Sequence, residues 1–252
     1  MVQPVPDRAA ATTVAAGERL LVVADYHAGL EVGLRRDGVE LRSAAEERRE
    51  ALVELVRAER PDRVVLLGDV ANAVGNPGEE ERAELDALFG ALTDHAPVSV
   101  AKGNHDGALD ELVSELGHGD EVTVSDGEGF RLGDVGFAHG HTWPAPDVLE
   151  AGTVCIAHEH PQVRLEDEVG GARTERVWLR GQLDPAPFRD RDPSVAADGG
   201  LVVFPAFNDV AGGTWANVEG QSFLAPFLRE GLANGQAYLL DGTRLGAYRR
   251  GS

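Results

Sequence analysis

The chain has 252 residues, a single cysteine, and a formal charge of −20 from 43 acids against 23 bases. That length buries a substantial core in one large domain or two small ones. No apolar run reaches the ~18–20 residues that span a bilayer, so the composition excludes a helical membrane protein, and lone Cys155 excludes an intrachain disulfide.

The acids are dispersed, as in EERREALVELVRAE, GEEERAELDALF and RLEDEV, with no single acidic tail. A diffuse excess of this kind reads as adaptation to a high-salt cytoplasm. At low salt it repels nucleic acid, and at high salt the repulsion is screened, so charge alone does not decide the substrate.

The first 18 residues lack a basic start followed by a long apolar core, and are read as a flexible tail with no signal peptide. Apolar runs bounded by turn residues then predict strands at 19–24, 63–67, 97–101, 134–138 and 153–157. Helical periodicity fills two gaps. Residues 42–59 place Leu52, Leu55 and Val56 on one face, and 80–94 do the same with Leu85, Leu88 and Leu92. Strand-helix-strand alternation of this type predicts an α/β domain with a largely parallel or mixed sheet. Cys155, inside the run TVCIA, reads as a buried small hydrophobe. Residues 164–200 are rich in charge, Pro and Gly, and are read as an irregular insertion: a hairpin with long loops. Strands are predicted again at 201–207, 237–241 and 244–249. The whole of 19–252 is expected to form one domain.

Each of the first five strands is followed by residues able to bind metal. They are Asp25-Tyr26-His27, Gly68-Asp69, Gly103-Asn104-His105-Asp106, His139-Gly140-His141 and His158-Glu159-His160. Six of the eight histidines fall in these clusters, leaving only His95 and His118 outside. Ligands of open α/β sheets bind at the carboxyl ends of strands, so five such ends point to one converging site. Any single cluster is an ordinary turn; the ordered set is what carries the inference.

The order ADYH, GDVAN, GNHD, HGH, AHEHP resembles the calcineurin-like metallophosphoesterase superfamily, across residues 21–161. Ala157 stands where the last motif usually carries glycine. HEHPQVRL and the later LVVFPAFNDVAGG resemble more narrowly the branch of SbcD/Mre11-like nucleases and the ligase-associated phosphodiesterase PdeM. The resemblance implies a four-layer α-β-β-α sandwich with two mixed sheets flanked by helices and the metal site at the strand C-terminal edge. It also implies a hydroxide bridged by two metals as nucleophile for phosphoester hydrolysis. Asp69 is the implied bridging ligand. Asp25, His27 and His160 complete the first metal, while Asn104, His139 and His158 complete the second. Mixed carboxylate, imidazole and amide donors suit Mn²⁺ best, with Fe²⁺, Zn²⁺ or Ni²⁺ as alternatives.

By the same resemblance His105 is the general acid. Many relatives orient that imidazole with an Asp three residues after the bridging Asp. Here Asn72 holds the position and offers an amide oxygen, and Asp106 is a substitute. His141 either contacts phosphate or backs the ligands. Asn208, with Gly212-Gly213, either shapes a lip over the substrate or ends a core strand in a turn. Trp143 stacks on a base or packs locally, and Lys102, the only lysine, is expected in solvent.

The implied activity is a phosphodiesterase or nuclease acting on DNA or RNA ends or small phosphodiesters in nucleic-acid repair or processing. Association with helicase or ligase proteins is implied, with no membrane role and with oligomerisation open. A phosphomonoesterase or nucleotidase is the alternative within the same chemistry, and a non-catalytic scaffold subunit the alternative outside it. With the acidic excess, the resemblance implies a cytoplasmic protein of a halophilic archaeon.

Overall fold

A computed structural model describes residues 1–167, 170–218 and 222–247. Its first sheet has six strands in the order of the chain: β1 (Gln3–Pro4), β2 (Ala10–Ala15), β3 (Glu18–Ala24), β4 (Arg63–Leu67), β5 (Val98–Ala101) and β6 (Val122–Ser125). From β3 to β6 the strands are parallel, and β1-β2-β3 is an antiparallel meander. Helices α1 (Leu30–Arg36), α2 (Ala45–Glu59), α3 (Glu79–Thr93) and α4 (Leu109–Glu115) supply the crossovers.

The second sheet comprises β7 (Phe130–Leu132), β8 (Val135–Phe137), β9 (Thr153–Ile156), β10 (Gln162–Glu166), β11 (Ala172–Leu183), β12 (Gly200–Val203), β13 (Leu232–Leu239) and β14 (Arg244–Ala247). Its spatial order is β14-β13-β11-β12-β9-β8-β7, with β10 paired to β11. β8, β9 and β12 run parallel, while the remaining pairs are antiparallel. Three short helices, α5 (Pro146–Leu149), α6 (Ala186–Arg189) and α7 (Leu228–Gly231), accompany this sheet.

Alternation along the strands divides the apolar residues among three cores. Leu20, Val22, Ala24, Val65 and Leu67 of the first sheet meet Phe137, Cys155, Trp178, Val202 and Phe204 of the second. The intervening Leu21, Val23, Val64 and Leu66 face Leu52, Leu85, Leu88 and Phe89 of the helices. On the far side, Val154, Ile156, Leu179 and Leu201 pack on Val148, Phe188 and Leu228. Helices, sheet, sheet and helices therefore stack as four layers, as the resemblance implies. Cys155 lies in the middle core, where burial pushes its thiol up to about 12.

Two segments differ from their sequence reading. Residues 3–15 are no tail: β2 pairs with β3 from Ala10↔Val23 to Ala15↔Glu18, and Ala10 and Ala11 are fully buried. Alanines carry too little apolar surface to advertise a strand, so pairing with β3 decides it. The segment read as an irregular insertion contains β11, which pairs with both β12 and β13 inside the second sheet. Its outer half does form the expected hairpin with β10. Positions 248 and 249 of the last predicted strand lie outside the described residues. No helix among the described residues is long and apolar enough to cross a membrane.

Candidate metal centre

Parallel strands that end at one level deliver their next residues to one edge. Asp25 follows β3, Asp69 follows β4, Asn104 follows β5, His139 follows β8, and His158 and His160 follow β9. The loops are tied to one another by backbone hydrogen bonds. Asp25 N donates to Gly68 O (3.2 Å), His27 N to Asp69 O (2.8 Å), and Ala157 N to His139 O (2.9 Å). The Ala157 methyl is buried in the core between the sheets, so glycine is not needed there.

Asp25, His27, Asp69, His158 and His160 all adopt left-handed backbone, with φ of 53°, 50°, 44°, 69° and 42°. Each such non-glycine residue costs ~1–3 kcal/mol and persists only where the surroundings impose it. Here it turns the side chains inward. Gly103 has a different duty: a Cβ there would lie 2.2 Å from Asp69 Oδ1 and 2.3 Å from Asp69 N, so only glycine lets the GNHD turn close over the carboxylate. That closure allows His105 N to donate to Asp69 Oδ1 at 2.9 Å.

The side chains gather into two groups, Asp25/His27/His160 and Asp69/His139/His158, within each of which the donor atoms lie within 4.8 Å of one another. Asn104 joins the second group, its Oδ1 3.2 Å from His139 Nε2. His139 Nδ1 is 3.7 Å from Asp25 Oδ1, so the groups abut.

The donors fit a pair of divalent cations. Both Asp25 carboxylate oxygens are buried without a hydrogen-bond partner. Imidazole nitrogens face each other at 3.3 Å (His27 Nε2 and His160 Nε2) and 3.1 Å (His139 Nε2 and His158 Nδ1). His139 Nδ1–H donates to Leu67 O at 3.0 Å and His160 Nδ1–H to Gly212 O at 2.6 Å. Each leaves Nε2 as the inward lone pair, a frequent arrangement for metal-ligating histidine.

Burial pushes His27 and His158 down to about 4, so both are neutral donors. Burial also acts on His139 and His160, but the Asp69 carboxylate beside the first and Asp25 beside the second outweigh it and raise each to about 9. Asp69 itself is held well below the carboxylate range, because His139 and the His105 amide outweigh burial. A divalent ion takes the place of the proton at such imidazole–carboxylate pairs.

The remaining predicted residues are distributed unevenly. His105 sits at the rim, half-buried, its ring 5.4 Å from that of His27 and its Nε2 3.9 Å from Asp69 Oδ2. Its Nδ1–H donates at 2.5 Å to Asn72, but to the backbone carbonyl and not to the amide oxygen. Asp106 does not orient His105. Its buried carboxylate accepts Ala71 N (3.0 Å) and Gly103 N (2.9 Å), joining two site loops, and burial raises it to about 6. His141 lies beside the second group, 5.4 Å ring to ring from His139, with its Nδ1 buried and unbonded.

Asn208 forms no lip. Fully buried, it donates through Nδ2 to Tyr26 O (3.2 Å) and accepts Val210 N at Oδ1 (3.1 Å), clamping the DYH loop from below. The nearby Gly212 does reach the centre, through its carbonyl on His160. Trp143 packs against Phe188 and Phe227 beneath the Arg191 guanidinium. Lys102 pairs with Asp110 at 3.0 Å. His118 bonds Asp86 on the helical side, away from the centre.

Glu159 belongs to a metal-capable cluster in the sequence reading, with no duty of its own. Its carboxylate turns away from the flanking histidines to accept Leu224 N (3.1 Å) and Ala225 N (2.7 Å), anchoring a late segment under the site. A signal was present: in a turn built on H-x-H, a middle residue with no ligand duty is free to point into the core.

A sequence search of curated proteins finds no match. Among solved structures, the crystal structure of Pseudomonas putida nuclease MPE is similar with a TM-score of 0.57 at 18% identity, covering 97% of this chain and 100% of that one. At that identity the likeness is one of fold. The calcineurin-like phosphoesterase profile matches residues 18–234, which include every residue of both donor groups. The chain belongs to the calcineurin-like phosphoesterase family, a family of phosphoester hydrolases.

Proposed function

We propose that the protein is a metal-dependent phosphodiesterase of nuclease type, using two divalent ions with Mn²⁺ preferred, and acting on DNA or RNA ends or small phosphodiesters. The observation that carries this reading is the pair of abutting donor groups, whose inward nitrogens crowd together at 3.1–3.3 Å around Asp25 oxygens that have no hydrogen-bond partner, an arrangement a cation would satisfy. When bound, two such ions supply Lewis acidity toward the phosphoryl group and an activated attacking water.

The protein's own residues do the rest. Asp25, His27 and His160 would hold one ion and Asn104, His139 and His158 the other, with Asp69, grouped with His139 and His158, as the ligand we assign to both. The Leu67 and Gly212 carbonyls fix two of these rings so that Nε2 faces inward. His105 keeps Nδ1 on the Asn72 carbonyl and presents Nε2 to the site, which suits proton delivery to a leaving alkoxide. His141 is the residue we assign to phosphate contact. The nuclease named for the structural neighbour supports a diester substrate over a monoester, and nucleic-acid repair or processing beside helicase or ligase proteins is the cellular setting we assign.

The test is a metal-reconstituted screen at high KCl against bis-p-nitrophenyl phosphate, p-nitrophenyl phosphate, single-stranded DNA and RNA. Diester hydrolysis exceeding monoester hydrolysis, with Mn²⁺ the best ion, is the expected result. Preference for the monoester would overturn the reading.

A further inference from the structure

The loop after Asp69 is held by two buried carboxylates that arrive from different directions. Asp106 takes Ala71 N, and Glu81, in the first turn of α3, takes the next two amides. Glu81 Oε1 accepts Asn72 N at 2.6 Å and Ala73 N at 2.9 Å. The peptide unit joining Asn72 to Ala73 is therefore bonded at both ends. Its N–H donates to Glu81, and its carbonyl receives Nδ1–H of His105 at 2.5 Å.

Glu81 is only 5% exposed. Hydrogen bonds to an ionised carboxylate are short and strong, and linked bonds polarise one another in a low-dielectric surrounding. The carboxylate stem is itself wedged in place. Gly29, at φ 79° just after the DYH loop, would carry a Cβ 2.8 Å from both Cβ and Cγ of Glu81. Only glycine leaves room for the stem between the DYH loop and the Asn72 loop.

We propose that Glu81 is the positioning residue for His105, acting through the 72–73 peptide. The Asn72 side chain does not reach the imidazole, so the orienting group is a carbonyl, and a carbonyl orients only as well as its peptide plane is fixed. Glu81 fixes that plane and keeps Nδ1–H on the Asn72 carbonyl, so that Nε2 faces the substrate and is the atom that carries and delivers the proton. The inference rests on the reading of His105 as proton donor. Misplacing a reacting group by about 1 Å costs on the order of 10²-fold in rate, and that is the scale expected when Glu81 is lost.

The experiment compares wild type, His105→Ala, Glu81→Ala and Glu81→Gln in the full chain at one pH. Two phosphodiesters are used, one releasing p-nitrophenolate, which needs no proton, and one releasing a nucleoside alkoxide, which does. Metal content is measured in parallel, and ¹⁵N resonances of the His105 ring are recorded on metal-free protein. Glu81→Ala is expected to slow the alkoxide diester about 10²-fold, the p-nitrophenyl diester far less, and to leave metal content unchanged. The Nδ1–H form of His105 should give way to a mixture, and Glu81→Gln, which keeps an acceptor oxygen, should recover most of both effects. Should Glu81→Ala fail to fold, Glu81→Asp takes its place, because it retains the charge but withdraws the oxygen by one methylene.

Equal slowing of both diesters, loss of metal, or an unaltered His105 ring would overturn the proposal and leave Glu81 as a loop brace. If His105→Ala itself shows no leaving-group selectivity, the assignment of His105 as the acid fails instead. The ring resonances then still decide whether Glu81 fixes the imidazole.

Discussion

Two imidazole nitrogens, His27 Nε2 and His160 Nε2, lie 3.3 Å apart across 133 residues of sequence. Two lone pairs at that distance repel, and two N–H groups clash, so the contact is favourable only with a proton or a cation between the rings. Asp25 Oδ1, buried and 3.3 Å from the same His160 nitrogen, adds a carboxylate to the pair and so makes a group that fits a cation.

Metal binding should therefore reach about two ions per chain and raise the melting temperature. Saturation at 100 times the dissociation constant contributes about 2.7 kcal/mol per site. Asp69→Asn should lower both occupancies if Asp69 is the shared ligand proposed above. Titration calorimetry on the chelator-treated protein checks this. Two tightly held ions in the variant would remove Asp69 from the shared position.

Asn104 and His105 are neighbours with different duties, so their variants should fail differently. Asn104→Ala removes a neutral donor beside His139, and excess Mn²⁺ should restore part of the rate. His105→Ala should keep both ions and lose on the order of 10²–10⁴ in turnover on an alkoxide ester, with no rescue by metal. Rates across a Mn²⁺ series for the two variants make the comparison. Rescue of both would place His105 among the ligands.

Arg48 anchors the helices behind the DYH loop. Its guanidinium pairs with Glu31 at 2.9 Å and Glu84 at 2.7 Å, all three side chains being almost fully buried, and Glu84 accepts Gly29 N at 2.8 Å. Arg48→Ala strands two buried carboxylates and should cost ~3–5 kcal/mol, measured by urea unfolding.

The same cluster predicts an acid limb. Burial alone would raise Glu31, but the Arg48 hydrogen bonds and charge outweigh it and hold the carboxyl below its ordinary 4.5. A depressed folded value means stability that is present above about 4.5 and lost as pH falls through the lower folded value. Unfolding free energy should therefore decline below pH 4.5 in wild type and less steeply in Arg48→Ala. Parallel pH profiles would deny Glu31 that part.

The charge of −20 predicts salt dependence. The Debye length falls from ~10 Å at 0.1 M to ~3 Å at 1 M, which screens repulsion among dispersed surface acids. The melting temperature should rise from dilute buffer to molar KCl. Calorimetric scans across that range test it, and an invariant melting temperature would discredit the high-salt reading.

The sequence by itself determined which residues surround the centre and that they lie at one edge. Buried parallel strands are continuous apolar runs with sharp ends, and candidate ligand residues such as Asp25, Asp69 and His139 come within one or two positions of those ends. That information is local, so it survives in a linear reading. Strands without a strong apolar signal were illegible: Ala10 and Ala11 are buried by their partner β3, and β11 enters the second sheet from a segment rich in charge and glycine.

Tertiary structure alone decided how the centre is supported. The Asn208 amide bonds Tyr26 O across 182 residues, and His105 is oriented by the Asn72 carbonyl 33 residues away. Glu159 turns from its histidine neighbours to bond Ala225 N, 66 residues on. In each case a polar group taken out of water bonds the donor or acceptor that packing brings within reach. Only the closed fold says which one that is, because the partner's distance along the chain has no bearing on its distance in space.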